Sequence, residues 1–237
     1  MNDTAEHRFD TPEPTVLVVA VRDGQVAITA ADVATTTVHV TGPRADEVRV
    51  EQRGGRVLVI GPRQRGFFTG SNLRYEITVP TDSQLVVRSG SASVAVTGRL
   101  GDTRVKTGSG DIALDALSGP GVLDSGSGAL SVGDSAGALR LRSGSGRVRV
   151  GSSREAVVST GSGDISVGTL TGKLVAKTGS GDLRIGVASG MAVWTDISTG
   201  SGRLSSDLPR MGEPEKGAPY VEIRATTGSG DIALTSV

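Results

Sequence analysis

No cysteine occurs among the 237 residues, which excludes disulfides, thiolate metal sites and cysteine nucleophiles, although it does not settle the compartment. Aromatic side chains make up 3% of the chain, too little bulk for a conventional globular core. Charge of one sign is missing too: 25 Lys and Arg balance 25 Asp and Glu, so no global field is directed at nucleic acid or a membrane surface. No apolar run approaches the roughly 18 residues of a membrane-spanning helix. The polar start, 1–14, has no signal-peptide core. These absences predict a cytoplasmic protein without membrane insertion, with a surface location only if a leader has been removed. The two histidines, His7 and His39, lie outside the regular part of the sequence, leaving histidine general-base chemistry no plausible residue there.

What the chain does have is glycine, 35 of it, much of it in one recurring phrase. Thr107–Leu114 reads T-G-S-G-D-I-A-L, Thr160–Val167 T-G-S-G-D-I-S-V, Thr178–Ile185 T-G-S-G-D-L-R-I and Thr227–Leu234 T-G-S-G-D-I-A-L, with looser copies from Ser89, Ser125, Ser143 and Thr199. The leading glycines, Gly90, Gly108, Gly126, Gly144, Gly161, Gly179, Gly200 and Gly228, are spaced 18, 18, 18, 17, 18, 21 and 28 residues apart. A fixed period of this size marks a solenoid, in which each turn of chain stacks on another. Flanking glycines permit positive φ and a sharp turn. The following apolar pairs, such as Ile112/Leu114, Leu130/Val132, Val148/Val150, Ile165/Val167 and Leu183/Ile185, are two residues apart and so share one strand face. A fainter strand, as at Leu139/Leu141 and Leu174/Ala176, fills the second half of each repeat. Thr199–Ser206 lacks the second apolar residue and is predicted to be the weakest regular coil.

Two hydroxyl columns accompany the repeat. One is the serine between the glycines, from Ser91 to Ser229, and the other the Ser or Thr two residues earlier; stacked hydroxyls suit an internal ladder that satisfies turn backbone groups. From Thr15 to Arg88 short valine-rich strands continue without the strict period. Phrases such as Gly54-Gly55-Arg56-Val57-Leu58-Val59 read there as degenerate coils that cap the stack against edge pairing. The reading is therefore all-β: a single-stranded parallel β-solenoid of β-helix or β-roll type, with coils of about 18 residues. Residues 1–14 are expected to be a flexible segment. Residues 15–237 form one domain, irregular over 15–88 and regular over 89–237, with an insertion at 207–219.

Candidate chemistry is sparse. Repeat-in-toxin β-rolls bind calcium through aspartates in nine-residue repeats, and Asp111, Asp164 and Asp182 follow the glycine turn. Yet the same column holds Arg147 and Arg203, which calcium would not tolerate, so no metal or other cofactor is expected. The hexapeptide helix of acyltransferases repeats every six residues, unlike this chain, and a β-helix carbohydrate-active enzyme would need a tuned carboxylate pair. Arg140, Arg142, Arg147 and Arg149 form a local basic patch without interleaved aromatics, so base stacking is unsupported and no nucleic-acid partner is expected. The one loop offering both apolar and charged groups is 62–72. Its Phe67 and Phe68 beside Arg63 and Arg65 either fold over an end of the core or form a partner-binding loop.

The T-G-S-G-D-I/L repeat, the opening Phe9-Asp10-Thr11-Pro12-Glu13-Pro14 and the late Ala192-Val193-Trp194-Thr195-Asp196-Ile197 resemble one bacterial family. It is the β-strand-repeat proteins grouped as domain of unknown function 4097 and labelled adhesin-like. The likeness runs from about Phe9 to the C-terminus and implies an all-β, solenoid-like fold, with no catalytic motif to carry over. The favoured function is a non-catalytic scaffold or binding module for an unknown protein or envelope component, monomeric, with end-to-end assembly open to it. The alternative is a self-assembling structural protein like the bactofilins.

Overall fold

The computed structural model describes residues 3–62, 72–208 and 220–237. Apart from one 3-10 turn at Ala45–Glu47, the regular elements among these residues are β-strands. They fall into two compact units, Met1–Gly119 and Pro120–Val237.

The first unit runs β1 (Asp3–Asp10), β2 (Val16–Val21), β3 (Gln25–Ala31), β4 (Thr35–Gly42), β5 (Arg49–Arg53), β6 (Arg56–Ile60), β7 (Arg74–Pro80), β8 (Gln84–Ser89), β9 (Ser93–Leu100), β10 (Thr103–Thr107) and β11 (Ile112–Leu117). Parallel pairs β6–β2–β8–β10 make one ladder and β7–β3–β9–β11 a second. Alternate residues are buried along each, Leu17, Val57, Leu85 and Val105 in the first and Val26, Ile77, Val94 and Ile112 in the second.

Among the described residues three pairs in this unit are antiparallel, β1–β4, β4–β7 and β5–β6, so the expected parallel stacking is corrected for the irregular coils. At Gly54-Gly55 the physical reason is local. Both glycines have positive φ, 54° and 73°, as a two-residue hairpin turn requires, and Gly54–Val59 is a hairpin joining β5 to β6 rather than a degenerate coil. The expected flexible start is corrected as well, because Asp3–Asp10 pairs with β4 over eight residues. Its alternation is carried only by Ala5, His7 and Phe9, with the His7 and Phe9 rings stacked at 6.5 Å. An edge strand wet on one side needs little more, and its charges discourage further pairing.

The second unit runs β12 (Gly121–Ser125), β13 (Leu130–Ser135), β14 (Leu139–Ser143), β15 (Val148–Thr160), β16 (Ile165–Ser180), β17 (Leu183–Val187), β18 (Ala192–Ser201), β19 (Leu204–Ser206), β20 (Tyr220–Ser229) and β21 (Ile232–Ser236). Its pairs are parallel and in register with the repeat. One buried column runs Leu130, Val148, Ile165, Leu183, Ile232, and a second runs Val132, Val150, Val167, Ile185, Leu234. The fainter half-repeats make the other ladder, where Leu139, Ala156, Leu174 and Ile223 align and are buried.

The stacking is not sequential. β20 lies between β16 and β18, and β21 between β17 and β19. The chain leaves a gap, builds the Ala192–Ser206 coil beyond it, and fills the gap with its last residues. In the first unit β2 is likewise held between β6 and β8, and β3 between β7 and β9. Apolar content accounts for the order in the second unit. The inserted coil contributes Val221, Ile223, Ala225, Ile232 and Leu234, all buried, whereas the outer coil offers Thr195 opposite Ile223 and Ser206 opposite Leu234. Of these two coils, the one poorer in inward apolar side chains takes the outer position, where its Leu204 is 56% exposed.

The hydroxyl ladder is real but uses one column. The serines between the glycines are exposed, and the buried column is the Ser or Thr two residues before. Thr160 Oγ1 accepts the Gly163 N–H at 3.2 Å and donates to the Gly146 carbonyl at 3.2 Å. Ser143 does the same between Gly146 and Gly128, at 2.8 and 3.0 Å. Each hydroxyl thus closes its own turn and reaches the neighbouring coil, satisfying two buried backbone groups. At Gly163 the second glycine of the phrase is there for space, since a Cβ would overlap the Gly146 carbonyl, whereas Gly181, Gly202 and Gly230 also have positive φ, 154°, 158° and 147°.

Candidate binding surface

Arg63, Arg65, Phe67 and Phe68 lie outside the described residues, as does 209–219 of the expected insertion. The basic patch is corrected: Arg140 and Arg142 stand on β14, whereas Arg149 stands on β15 opposite Ser131, whose strand belongs to the other ladder. Arg147 pairs with Asp164 at 3.4 Å. The aspartates of the repeat serve the backbone. Asp164 accepts the Asp182 N–H at 3.1 Å, Asp182 accepts the Asp231 N–H at 3.0 Å, and Asp231 accepts the Arg203 N–H at 2.8 Å. Among the described residues, no three His, Cys, Asp or Glu side chains gather as metal ligands would.

Exposed large apolar side chains concentrate elsewhere in the second unit, with Trp194 48% and Tyr220 51% exposed. On β18 the odd residues lie opposite the buried Val221, Ile223 and Ala225, so Trp194 and Asp196 project outward; on β20 Tyr220, Glu222 and Arg224 do so. Trp194 lies opposite Glu222, and Ala192 opposite Tyr220, which makes the two aromatics diagonal neighbours on one face.

Charges organise this face. Glu222 is held from two sides, by Lys173 Nζ at 3.1 Å and Arg224 Nε at 3.1 Å, and its side chain is only 17% exposed. Arg224 extends over the Trp194 ring, 5.5 Å from its centroid, a cation–π contact that fixes the indole. Beside it is an open depression of about 260 Å³ lined by Arg154, Glu155, Gly172, Lys173, Tyr220 and Glu222. With the two cations engaged on Glu222, the group is built to hold an aromatic platform in one orientation and to offer mixed charge at its rim. The sequence signal for it was slight. Tyr220, Glu222 and Arg224 alternate along one strand, and Trp194 lies in the stretch A-V-W-T-D-I without a charged or aromatic pattern around it.

In the first unit the best-defined polar cluster surrounds Asp82. Its carboxylate receives Arg99 Nε and Nη2 at 2.9 and 2.8 Å and the Ser118 hydroxyl at 2.6 Å. Those bonds, Arg99 first, hold its pKa below the ordinary aspartate value. Buried Tyr75 has its hydroxyl pKa pushed up, chiefly by burial and secondarily by Asp23. Among the described residues no helix is long and apolar enough to cross a membrane.

Several solved structures share the fold. An adhesin candidate from Bacteroides fragilis aligns with a TM-score of 0.60 at 14% identity, over 98% of this chain and 97% of that one. A second adhesin candidate, from Parabacteroides distasonis, gives 0.58 at 15% over 99% and 97%. A protein from the same species described as a lipid-binding candidate gives 0.61 at 19% over 98% and 96%. No curated protein matches the chain at a significant level. The family model described as Toastrack DUF4097 matches residues 15–235, nearly the whole ladder-forming chain, and the protein belongs to that family.

Proposed function

We propose that this chain is a non-catalytic β-solenoid binding module whose contact surface is the outward face of β18 and β20. The observation that carries the reading is the Trp194–Arg224–Glu222–Lys173 arrangement. Two aromatics stand exposed on a strand pair fixed by continuous hydrogen bonding, with their charged neighbours locked. Exposed aromatics on rigid elements bind at low entropic cost. The described adhesin and lipid-binding characters of proteins with the same fold favour a protein or envelope component as partner. Arg63, Arg65, Phe67 and Phe68 remain a second proposed contact, and a cytoplasmic or, after loss of a leader, surface location remains proposed with them. No cofactor is part of the reading, since binding of this kind needs none.

The test is capture from envelope and cytosolic fractions by wild type, by Trp194→Ser/Tyr220→Ser and by Phe67→Ser/Phe68→Ser. Loss of a captured partner in the first double variant supports the β18–β20 face. Equal capture by all three contradicts both contacts, and loss in the second variant alone moves the site to the loop.

A further inference from the structure

We infer that the outer edge of the second unit, formed by β18 and β19, pairs with the same edge of a second copy to make a closed dimer. Both strands are hydrogen-bonded on one side only among the described residues, β18 to β20 and β19 to β21. A bare parallel edge is a template for another strand, and soluble proteins usually guard it with charge, proline or a covering strand.

The first unit guards its edges in this way. β1 carries Asp3, Glu6, Arg8 and Asp10, and β5 carries Arg49, Glu51 and Arg53, with Glu51 paired to both arginines at 3.7 and 2.7 Å. Among its described residues the second unit does not. β18 reads A-V-W-T-D-I-S-T-G-S, with Asp196 its one charge, and β19 reads L-S-S with none. Between them the apolar column ends uncovered, with Leu204 56% exposed.

The occupant that fits is a second copy, because β18 is complementary to itself. In an antiparallel pair centred on Ile197, Ile197 meets its own equivalent, Thr195 meets Thr199, Asp196 meets Ser198, and Trp194 lies across Gly200. Threonine pairs, a hydroxyl beside a carboxylate and an aromatic covering a glycine are all favourable cross-strand neighbours. A two-fold axis closes such a contact on itself. Ten residues extend about 33 Å. With a width of about 15 Å, each copy contributes about 500 Å² and the pair about 1,000 Å², the threshold at which a specific but weak interface begins. A weak dimer that forms only as concentration rises is expected, and the charged edges of the first unit stop growth at two.

The experiment is sedimentation of the full chain from about 1 to 200 µM, with wild type and Ile197→Lys. Ile197 faces the ladder interior at the edge, where an inward lysine blocks pairing. A concentration-dependent dimer that Ile197→Lys reduces to monomer, with unchanged circular dichroism, supports the inference. Because the chain has no cysteine, Ile197→Cys gives an independent readout. Residues opposed across an antiparallel pair are within disulfide reach, so mild oxidation yields a covalent dimer, whereas Arg49→Cys on β5 stays monomeric. A wild-type monomer throughout, a dimer that survives Ile197→Lys, polymers beyond two, or no difference between the cysteine variants would each overturn it.

Discussion

Thr227 Oγ1 donates to the carbonyl of Gly181, 46 residues earlier, at 3.0 Å. Thr199, nearer in sequence, donates instead to Gly230 at 3.0 Å. These two bonds record the inserted coil: the last strand pair lies inside the stack, and the coil before it lies outside.

That order makes opposite demands on neighbours in register. Thr195 and Ile223 face each other across β18 and β20, yet Ile223 is fully buried and Thr195 exposed. Ile223→Asp buries a carboxylate without a partner and is expected to cost several kcal/mol. Thr195→Asp is expected to stay within about 1 kcal/mol. Thermal or urea melts of the pair check this, and equal losses would contradict the inserted order.

The single-column ladder predicts a contrast two residues apart. Thr160→Val keeps the shape but leaves the Gly163 N–H and the Gly146 carbonyl unpaired in a buried turn, an expected loss of about 1–3 kcal/mol. Ser162→Ala removes an exposed hydroxyl and should lie within about 0.5 kcal/mol of wild type. Equal denaturant midpoints for the two variants would disprove the assignment.

At Gly163 space, rather than turn conformation, governs the second glycine of the phrase. Gly163→Ala pushes a methyl group into the Gly146 carbonyl, and the neighbouring backbone cannot yield without losing its ladder. We expect a loss of about 2 kcal/mol or more. Gly55→Ala meets no atom within 4 Å and carries only the strain of its φ of 73°, about 1 kcal/mol.

Asp82 gives the pH dependence. Its folded-state pKa is lowered, first by Arg99 and then by Ser118. The stabilisation is therefore complete above the unfolded value, about 3.9, and is lost as pH falls through the folded value. Asp82→Asn should melt below wild type at pH 7, and the gap should close under acid conditions. A gap that widens on acidification would contradict the Arg99 and Ser118 bonds as its source.

Much of this was legible. The pairs two apart predicted the columns through Ile165 and Val167, because a period of two leaves one assignment of inside and outside. The missing second apolar residue after Leu204 predicted the weak coil. Coil order was not legible, since near-identical phrases stack on one another equally well and only Thr195 and Ser206 hint at which belongs outside. β1 escaped because an edge strand alternates polar with slightly less polar residues. The loop with Phe67 and Phe68 lies outside the described residues, while Trp194 and Tyr220 become neighbours only once β20 is placed beside β18.

Residue-resolved amide hydrogen exchange tests the inserted coil most directly, and with it the exposed face and the open edge that depend on it. Amides of β20 and β21, bonded between strands on both sides, should exchange only near global unfolding of the unit. In the monomeric Ile197→Lys variant, those of β18 and β19 should exchange faster, those facing the open edge fastest of all. Protection there in β18 and β19 equal to or greater than that in β20 and β21 would contradict the account.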